Sequence, residues 1–416
     1  MKIISKVIIV ILFCFTITNA QESSPYSRYG VGDIKYGYSA NLLSLGELGN
    51  SILDPDHILI TNPASWSVIN RTRIEFSLGY KGVNISDNSR SAFTSETEFR
   101  GATLGFPVSR DYGIGFVAGL IPYSKISYVS QKKYESTNNG LPGYNLIYEG
   151  KGGLAKFFIG SSVILPLGIH FGASFDYYFG NLRYLSKIEF DQGSSNINTT
   201  FETNHNSDGV GTTIGLISPN LARNFQFGSL SNLRLGFALN LINDLNTDTL
   251  FSATSLSLID TISNASVKTS IPYRLSGGIS FAFDDIHNFN LDFMYQPWRD
   301  FRFNNMKSDY LRDAAKFSFA YEYIPKRGLG MTSWELMTLR AGLSYEQTQY
   351  IFNNKGIDQY SLFGGFSFPI GLDNTIDFAL QYGFRGTTEN NLLKENFVKI
   401  YLGISFGELW FLRYEK

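Results

Sequence analysis

The stretch ITNPASWSVINRTRIEFSLGY, Ile60 to Tyr80, holds two kinds of sequence. Its first half carries Asn62, Pro63 and Ala64. Proline fixes its own φ and biases the preceding residue away from helix, so the chain turns stiffly there. The second half alternates: Ile74, Phe76, Leu78 and Tyr80 fall on one side, Arg73, Glu75, Ser77 and Gly79 on the other. Period-2 alternation marks a strand with one apolar face. The fold depends on what that face touches, a protein core or lipid.

Composition narrows the choice. The chain opens MKIISKVIIVILFCFTITNA, with two lysines, an apolar run, then small or polar residues. That layout predicts a signal peptide over residues 1–20, cleaved after Ala20. The only cysteine, Cys14, lies inside it, so the remaining chain has no thiol chemistry. Mean hydropathy is −0.07 and net charge −1, and no later stretch is apolar enough for a transmembrane helix. A near-neutral charge argues against a nucleic-acid surface. Yet 25 Tyr, 35 Phe and 40 Gly stand against 12 Pro. An exported chain rich in aromatics and glycine suggests a transmembrane β-barrel, whose alternation hides lipid-facing residues from average hydropathy. A large secreted sandwich or propeller is the competing architecture.

Fourteen alternating segments follow one another from residue 73 to 410. Leu233, Leu235, Phe237, Leu239 and Leu241 oppose Arg234, Gly236, Ala238 and Asn240. Val398, Ile400, Leu402, Ile404 and Phe406 oppose Lys399, Gly403, Ser405 and Gly407. The odd connections, including 84–97, 128–150, 184–207 and 243–272, read as long polar loops. Most even ones, such as PLG and DDIH, are tight turns, with 218–231 and 324–334 longer. Long loops at one end and short turns at the other are the mark of an outer-membrane barrel. The expected fold is therefore all-β, a fourteen-stranded antiparallel barrel over 67–416. On strand parity, both chain ends fall on the short-turn, periplasmic side.

Residues 21–66 do not alternate cleanly, and they carry Leu42, Leu43, Leu45, Ile58 and Ile60. Fourteen strands enclose a lumen too wide for wall side chains to fill, so this segment is expected to fold inward as a plug, with Asn62, Pro63 and Ala64 as its junction with the wall. Leu42, Leu43 and Leu45 would meet apolar lumen positions. Arg28, Asp33 and Glu47 would meet the inner-face charges Arg100, Asp176, Arg234, Arg274, Asp292, Arg340, Glu346, Asp377, Arg385 and Lys399. Trp66, Tyr80, Tyr112, Tyr123, Tyr295, Trp298, Tyr345 and Trp410 are candidates for aromatic belts at the membrane interfaces.

A plug, an NPA tripeptide just before the first strand, and fourteen strands together resemble the FadL family of outer-membrane transporters of hydrophobic compounds. The resemblance spans essentially the whole chain after residue 20. It implies an outer-membrane location in a Gram-negative bacterium, contact with outer-membrane lipid, and passive uptake of hydrophobic small molecules such as fatty acids. It also implies sideways escape through a gap beside a kinked third strand. Gly119 and Pro122 are the candidates for that kink, since proline cannot donate a ladder hydrogen bond; the other reading of Pro122 is that it ends the membrane portion at the outer rim. No ligand-binding residue carries over.

Little in the chain suggests catalysis. His57, His170, His205 and His287 form no metal spacing, no cofactor is expected, and His170 is the candidate base of a trailing hydrolase reading. A different class of function competes with uptake: the type IX secretion machinery uses a FadL-like barrel, so the chain could serve as a scaffold or shuttle for secreted proteins.

Overall fold

The computed structural model describes residues 24–136, 142–191, 196–225, 230–256, 258–326, 328, 330–371 and 373–409. The expected signal peptide and Trp410 lie outside them.

The wall begins with β1 (Thr72–Ser86), β2 (Ser91–Ser109), β3 (Ile114–Pro122), β4 (Tyr144–Ile164) and β5 (His170–Phe190). Next come β6 (Thr199–Ile217), β7 (Leu230–Ile242), β8 (Arg274–Phe283), β9 (His287–Gln296) and β10 (Ala314–Tyr323). It ends with β11 (Thr338–Phe352), β12 (Lys355–Ile370), β13 (Asn374–Gly386) and β14 (Lys394–Glu408). Each pairs antiparallel with the next, and β14 closes on β1 from Thr72↔Glu408 to Ser86↔Lys394. Closure removes the edges that an open sheet would present.

Phe76 and Leu78 are exposed on the outer surface, while Arg73, Glu75 and Ser77 are buried within. Phe157, Ile159, Phe175, Phe237, Leu291, Phe317, Leu343 and Leu362 continue the same apolar belt around the wall. A belt of this extent on a closed barrel is a lipid-facing surface. No helix among the described residues is long and apolar enough to cross a membrane.

Much of what reads as odd loop is strand. Residues 91–98, 144–150, 184–190 and 199–207 extend the wall above the belt, and a hairpin of Leu245–Ser255 and Leu258–Ser270 adds to it. These stretches carry polar residues on both faces, so they show no clean hydrophobic period; ladder bonds and polar cross-strand pairs such as Arg183–Glu202, 2.6 Å, hold them.

Candidate functional site: plug, junction and wall seam

The segment from Ser24 to Ile69 fills the lumen. β1 starts and β14 ends at the short-turn end, but the plug starts at the other end. Ser24 donates its N–H to Ser127 O (2.9 Å) and its hydroxyl to Glu395 (2.7 Å), both at the long-loop end. The expectation that both chain ends lie on the short-turn side is thereby corrected for the N-terminal segment. Strand parity fixes where β1 begins, but a segment this long crosses the lumen before reaching it.

The junction is tightly held. Asn62 Oδ1 caps a short 3-10 helix, Pro63–Val68, by accepting from Ala64 N at 3.1 Å. Its Nδ2 points at the carbonyls of Asn50 (2.6 Å), Leu216 (3.1 Å) and Phe237 (3.3 Å), joining the plug to β6 and β7. Glycine in the wall makes this approach possible. A Cβ on Gly215 would lie 1.9 Å from Asn62 Oδ1, and one on Gly172 would lie 2.3 Å from the Pro63 carbonyl carbon.

Pro122 is the last residue of β3, where it pairs with Ala155 of β4. The chain resumes as Ser124–Tyr134, which pairs with β4 from Ile126↔Gly152 to Tyr134↔Tyr144. The β2–β3 ladder stops at Ala102↔Leu120. Among the described residues no pairing joins 124–134 to β2, whose residues 91–101 pair with β1 alone. A seam therefore opens in the upper wall. The plug covers its lower end, where Asp33 and Ile34 pair with Lys125 and Ser124. Charge crosses it: Lys125 pairs with Glu96 and lies 3.4 Å from Glu98, which also takes Lys35 (3.4 Å) and Arg100 (2.6 Å). Gly119 faces inward, and a Cβ there would stand 2.7 Å from the Phe158 ring.

Deeper in, plug and wall interlock through buried charges. Glu47 pairs with Lys316 and lies 3.6 Å from Lys399. Asp33 receives Arg385 at 2.9 Å and the Tyr350 hydroxyl at 3.0 Å. Asp292 accepts from the backbone N–H of Gly49 (3.0 Å) and Asn50 (2.8 Å). Near the short-turn end His57 stands between Asp54 (2.8 Å) and Asp377 (3.1 Å). Burial alone would lower the His57 pKa, but the two carboxylates outweigh it and raise it well above the ordinary value. Apolar contacts complete the seal: Leu42 packs with Tyr38, Ile58, Trp66, Val117 and Phe158, and Leu43 with Phe363 and Tyr401.

Cavities punctuate this packing. At the long-loop mouth, one of about 230 Å³ is lined by Tyr29, Val31, Leu182, Tyr184, Phe301 and Phe303 together with the polar Arg28, His205, Ser207, Thr247, Thr269 and Ser308. In the middle, about 50 Å³ remains among Tyr36, Leu48, Ile121, Tyr123, Tyr178 and Met294. At the short-turn end a vestibule of about 260 Å³ is bordered by Asp54, His57, Glu322 and Arg340 together with Ile52, Phe281, Ile324 and Leu336. Tyr123, Tyr178, Val31 and Trp298 belong to one packed cluster between the first two.

All ten inner-face charges face the lumen, seven of them buried and Arg234, Arg274 and Lys399 half-buried. Asp33 and Glu47 meet such partners; Arg28 instead lies over the Tyr148 ring. The sequence pattern puts Arg73 and Glu75 on the polar side of the first strand but does not single them out as plug partners, and Lys316 and Glu395 escape notice although they too sit on the polar side of alternating strands. Three expected belt aromatics, Trp66, Tyr123 and Trp298, are buried in the interior, whereas Tyr112 is exposed. Proximity to a strand end does not distinguish a belt ring from a plug ring. His170 Nδ1 lies 2.6 Å from Ser67 Oγ, which donates to Ala64 O, so the pair braces the junction. Among the described residues no cluster of three or more His, Cys, Asp or Glu could hold a metal.

Known proteins share this architecture. A family model described as BamG matches residues 2–415. No curated protein matches the chain. Among solved structures, the CymD monoaromatic hydrocarbon channel is 16% identical with a TM-score of 0.57, over 91% of this chain and 100% of that one. A Pseudomonas aeruginosa FadL homologue gives 12% and 0.61, over 89% and 98%. The Pseudomonas putida toluene transporter TodX gives 20% and 0.56, over 91% and 99%. At these identities the likeness establishes the fold, a FadL-type barrel.

Proposed function

The chain belongs to the BamG family, and from that membership together with its FadL-type barrel we propose an outer-membrane protein that admits hydrophobic small molecules passively. The observation that carries this reading is the aromatic-lined cavity of about 230 Å³ at the long-loop mouth. An apolar cavity of ~150 Å³ suffices for benzene; this larger one, with aromatic and hydroxyl-bearing walls, has room for a substituted aromatic ring or a short alkyl chain. Burial of apolar ligand surface contributes roughly 25 cal/mol per Å². Long loops outside and a short-turn end in the periplasm would put the cavity where a ligand arrives. Onward movement requires displacement of the plug or opening of the seam, because the central cavity of about 50 Å³ holds little more than water. Toluene binding to the detergent-solubilised protein tests the proposal. Val31→Asp should abolish it while the folded barrel persists in unheated gels. Absence of toluene or fatty-acid binding by the wild-type protein would sink the proposal.

A second reading, a scaffold for exported proteins, is favoured by a separate observation. Plug and wall are tied by buried ion pairs at several levels, Asp33–Arg385, Glu47–Lys316 and His57–Asp377 among them. A barrel whose lumen never opens would serve as a rigid platform. Retained plug packing during solute exposure, with no uptake into proteoliposomes, would favour this reading over passage.

A further inference from the structure

Above the lipid-facing belt the wall rises into a wing of strands, and its last strand ends in an open edge. The belt's upper limit is marked by outward polar side chains: Asn181 bonds Asn206, and Arg183 bonds Glu202. Asn206 is level with Asp248, and Asp248 with Ser266. From Ser266 the descending arm of the hairpin, Leu258–Ser270, stands about 25 Å higher along the strand at roughly 3.3 Å per residue. One of its edges pairs with the ascending arm throughout, from Ser255↔Leu258 to Leu245↔Thr269. The other edge is used only at its foot, where Thr269 and Ser270 pair with Phe303 and Arg302, and Asn304 N–H donates to Lys268 O at 2.9 Å.

Above that foot, residues 258–267 have no ladder partner on this edge among the described residues. Because the Lys268 carbonyl points outward, strand alternation turns the N–H and C=O of Ser266 and Asn264 the same way. Every residue from Leu258 to Ser266 is exposed, so neither face of this arm is covered. Leu256, Leu258, Ile259 and Ile262 are each more than half exposed, at a height that lipid tails do not reach. Native edges are ordinarily blunted by proline, by lysine-rich sequence or by a covering element. LIDTISNASVK has no proline and one lysine, at its foot.

We propose that this edge receives an extended segment of a different polypeptide on the outer side of the membrane, which adds a strand to the wing by antiparallel pairing. Backbone bonds would supply the grip, and Leu258, Ile259 and Ile262 the side-chain contacts. A second copy of this chain fits poorly. Two copies in one bilayer point the same way, so their edge strands run parallel and antiparallel pairing is closed to them. The inference does not depend on the passage of hydrophobic molecules.

Proline at position 266 removes an outward N–H and leaves the hairpin's own ladder intact, as edge strands tolerate. A photoreactive benzoylphenylalanine in place of Asn264, irradiated in intact cells, should yield one adduct with a distinct polypeptide. Ser266→Pro in the same protein should reduce that adduct at least tenfold, while barrel folding in unheated gels stays unchanged. As a measurement that needs no substitution, the amides of Asn264 and Ser266 should exchange at least tenfold more slowly in isolated outer membranes than in purified detergent-solubilised protein. An adduct of twice this chain's mass, an adduct with lipopolysaccharide alone, or equal exchange in the two preparations would overturn the proposal.

Discussion

Glu47 sits at φ +69, directly after Gly46 at +81, in a turn that brings its carboxylate to Lys316 and Lys399. Lys316 is fully buried, so its ammonium depends on that carboxylate and on Glu346 at 3.7 Å. Glu47→Gln keeps the shape and removes the charge. Breaking one side of a buried pair costs roughly 3–5 kcal/mol. The expected outcome is a lower temperature for loss of the folded barrel band, and earlier proteolysis between Gly46 and Leu59. Lys316→Met together with Glu47→Gln should recover much of the loss. His57 gives a pH-dependent counterpart. Its folded pKa is raised, so its contribution is complete below the unfolded value of about 6.5 and is lost as pH rises through the folded value. Exchange at Asp56–Ile60, corrected for its intrinsic rate, should therefore accelerate in alkaline buffer. In His57→Gln it should be fast throughout, with no such pH step.

At the scale of elements, the sequence made legible whatever has a period. Phe76 and Leu78 alternate with Glu75 and Ser77 because one face meets lipid and the other the plug, and most of the fourteen membrane strands carry that contrast. The upper strands carry none: Thr199–His205 and Leu258–Ser266 have polar residues on both faces, so nothing separates them from loop. The break after Pro122 was legible as a proline, but its consequence lies in pairing across β2, which no local pattern encodes. Asn62, Pro63 and Ala64 were legible as a turn, whereas the glycines that receive them, Gly172 and Gly215, are distant in sequence. The plug's short strand offers a test. Gly32 has φ +92, and a Cβ there would stand 2.3 Å from the Lys125 carbonyl oxygen. Gly32→Ala should displace Asp33 and Ile34 from the seam edge, since a side chain fits neither the backbone angle nor the space. The measurement is amide exchange at Ser124–Ile126, expected to quicken while exchange in β9 and β10 stays unchanged.

For the whole molecule, wall and plug form one packed object and not a pipe with a loose stopper. The plug supplies Leu42, Ile58, Ile60 and Trp66 to the same cluster as the wall residues Val117, Ile121 and Phe158. Its acidic groups neutralise wall cations that would otherwise face one another across a wet lumen, Lys316 near Lys399 and Arg385 near Lys81. The wall nevertheless closes without it, because the β14–β1 ladder runs fifteen pairs, from Thr72↔Glu408 to Ser86↔Lys394, and involves no plug residue. Removing residues 22–58 should therefore leave an inserted barrel that is less stable, with a water-filled lumen lined by uncompensated lysine and arginine. Two consequences separate this from mere misfolding. In planar bilayers the truncated protein should conduct, with a preference for anions, because the remaining lumen charges lose Asp33, Glu47 and Asp54. In proteoliposomes it should release small solutes that the intact protein retains. Equal permeability of intact and truncated proteins, with both still running as folded barrels, would show that the plug does not seal the lumen.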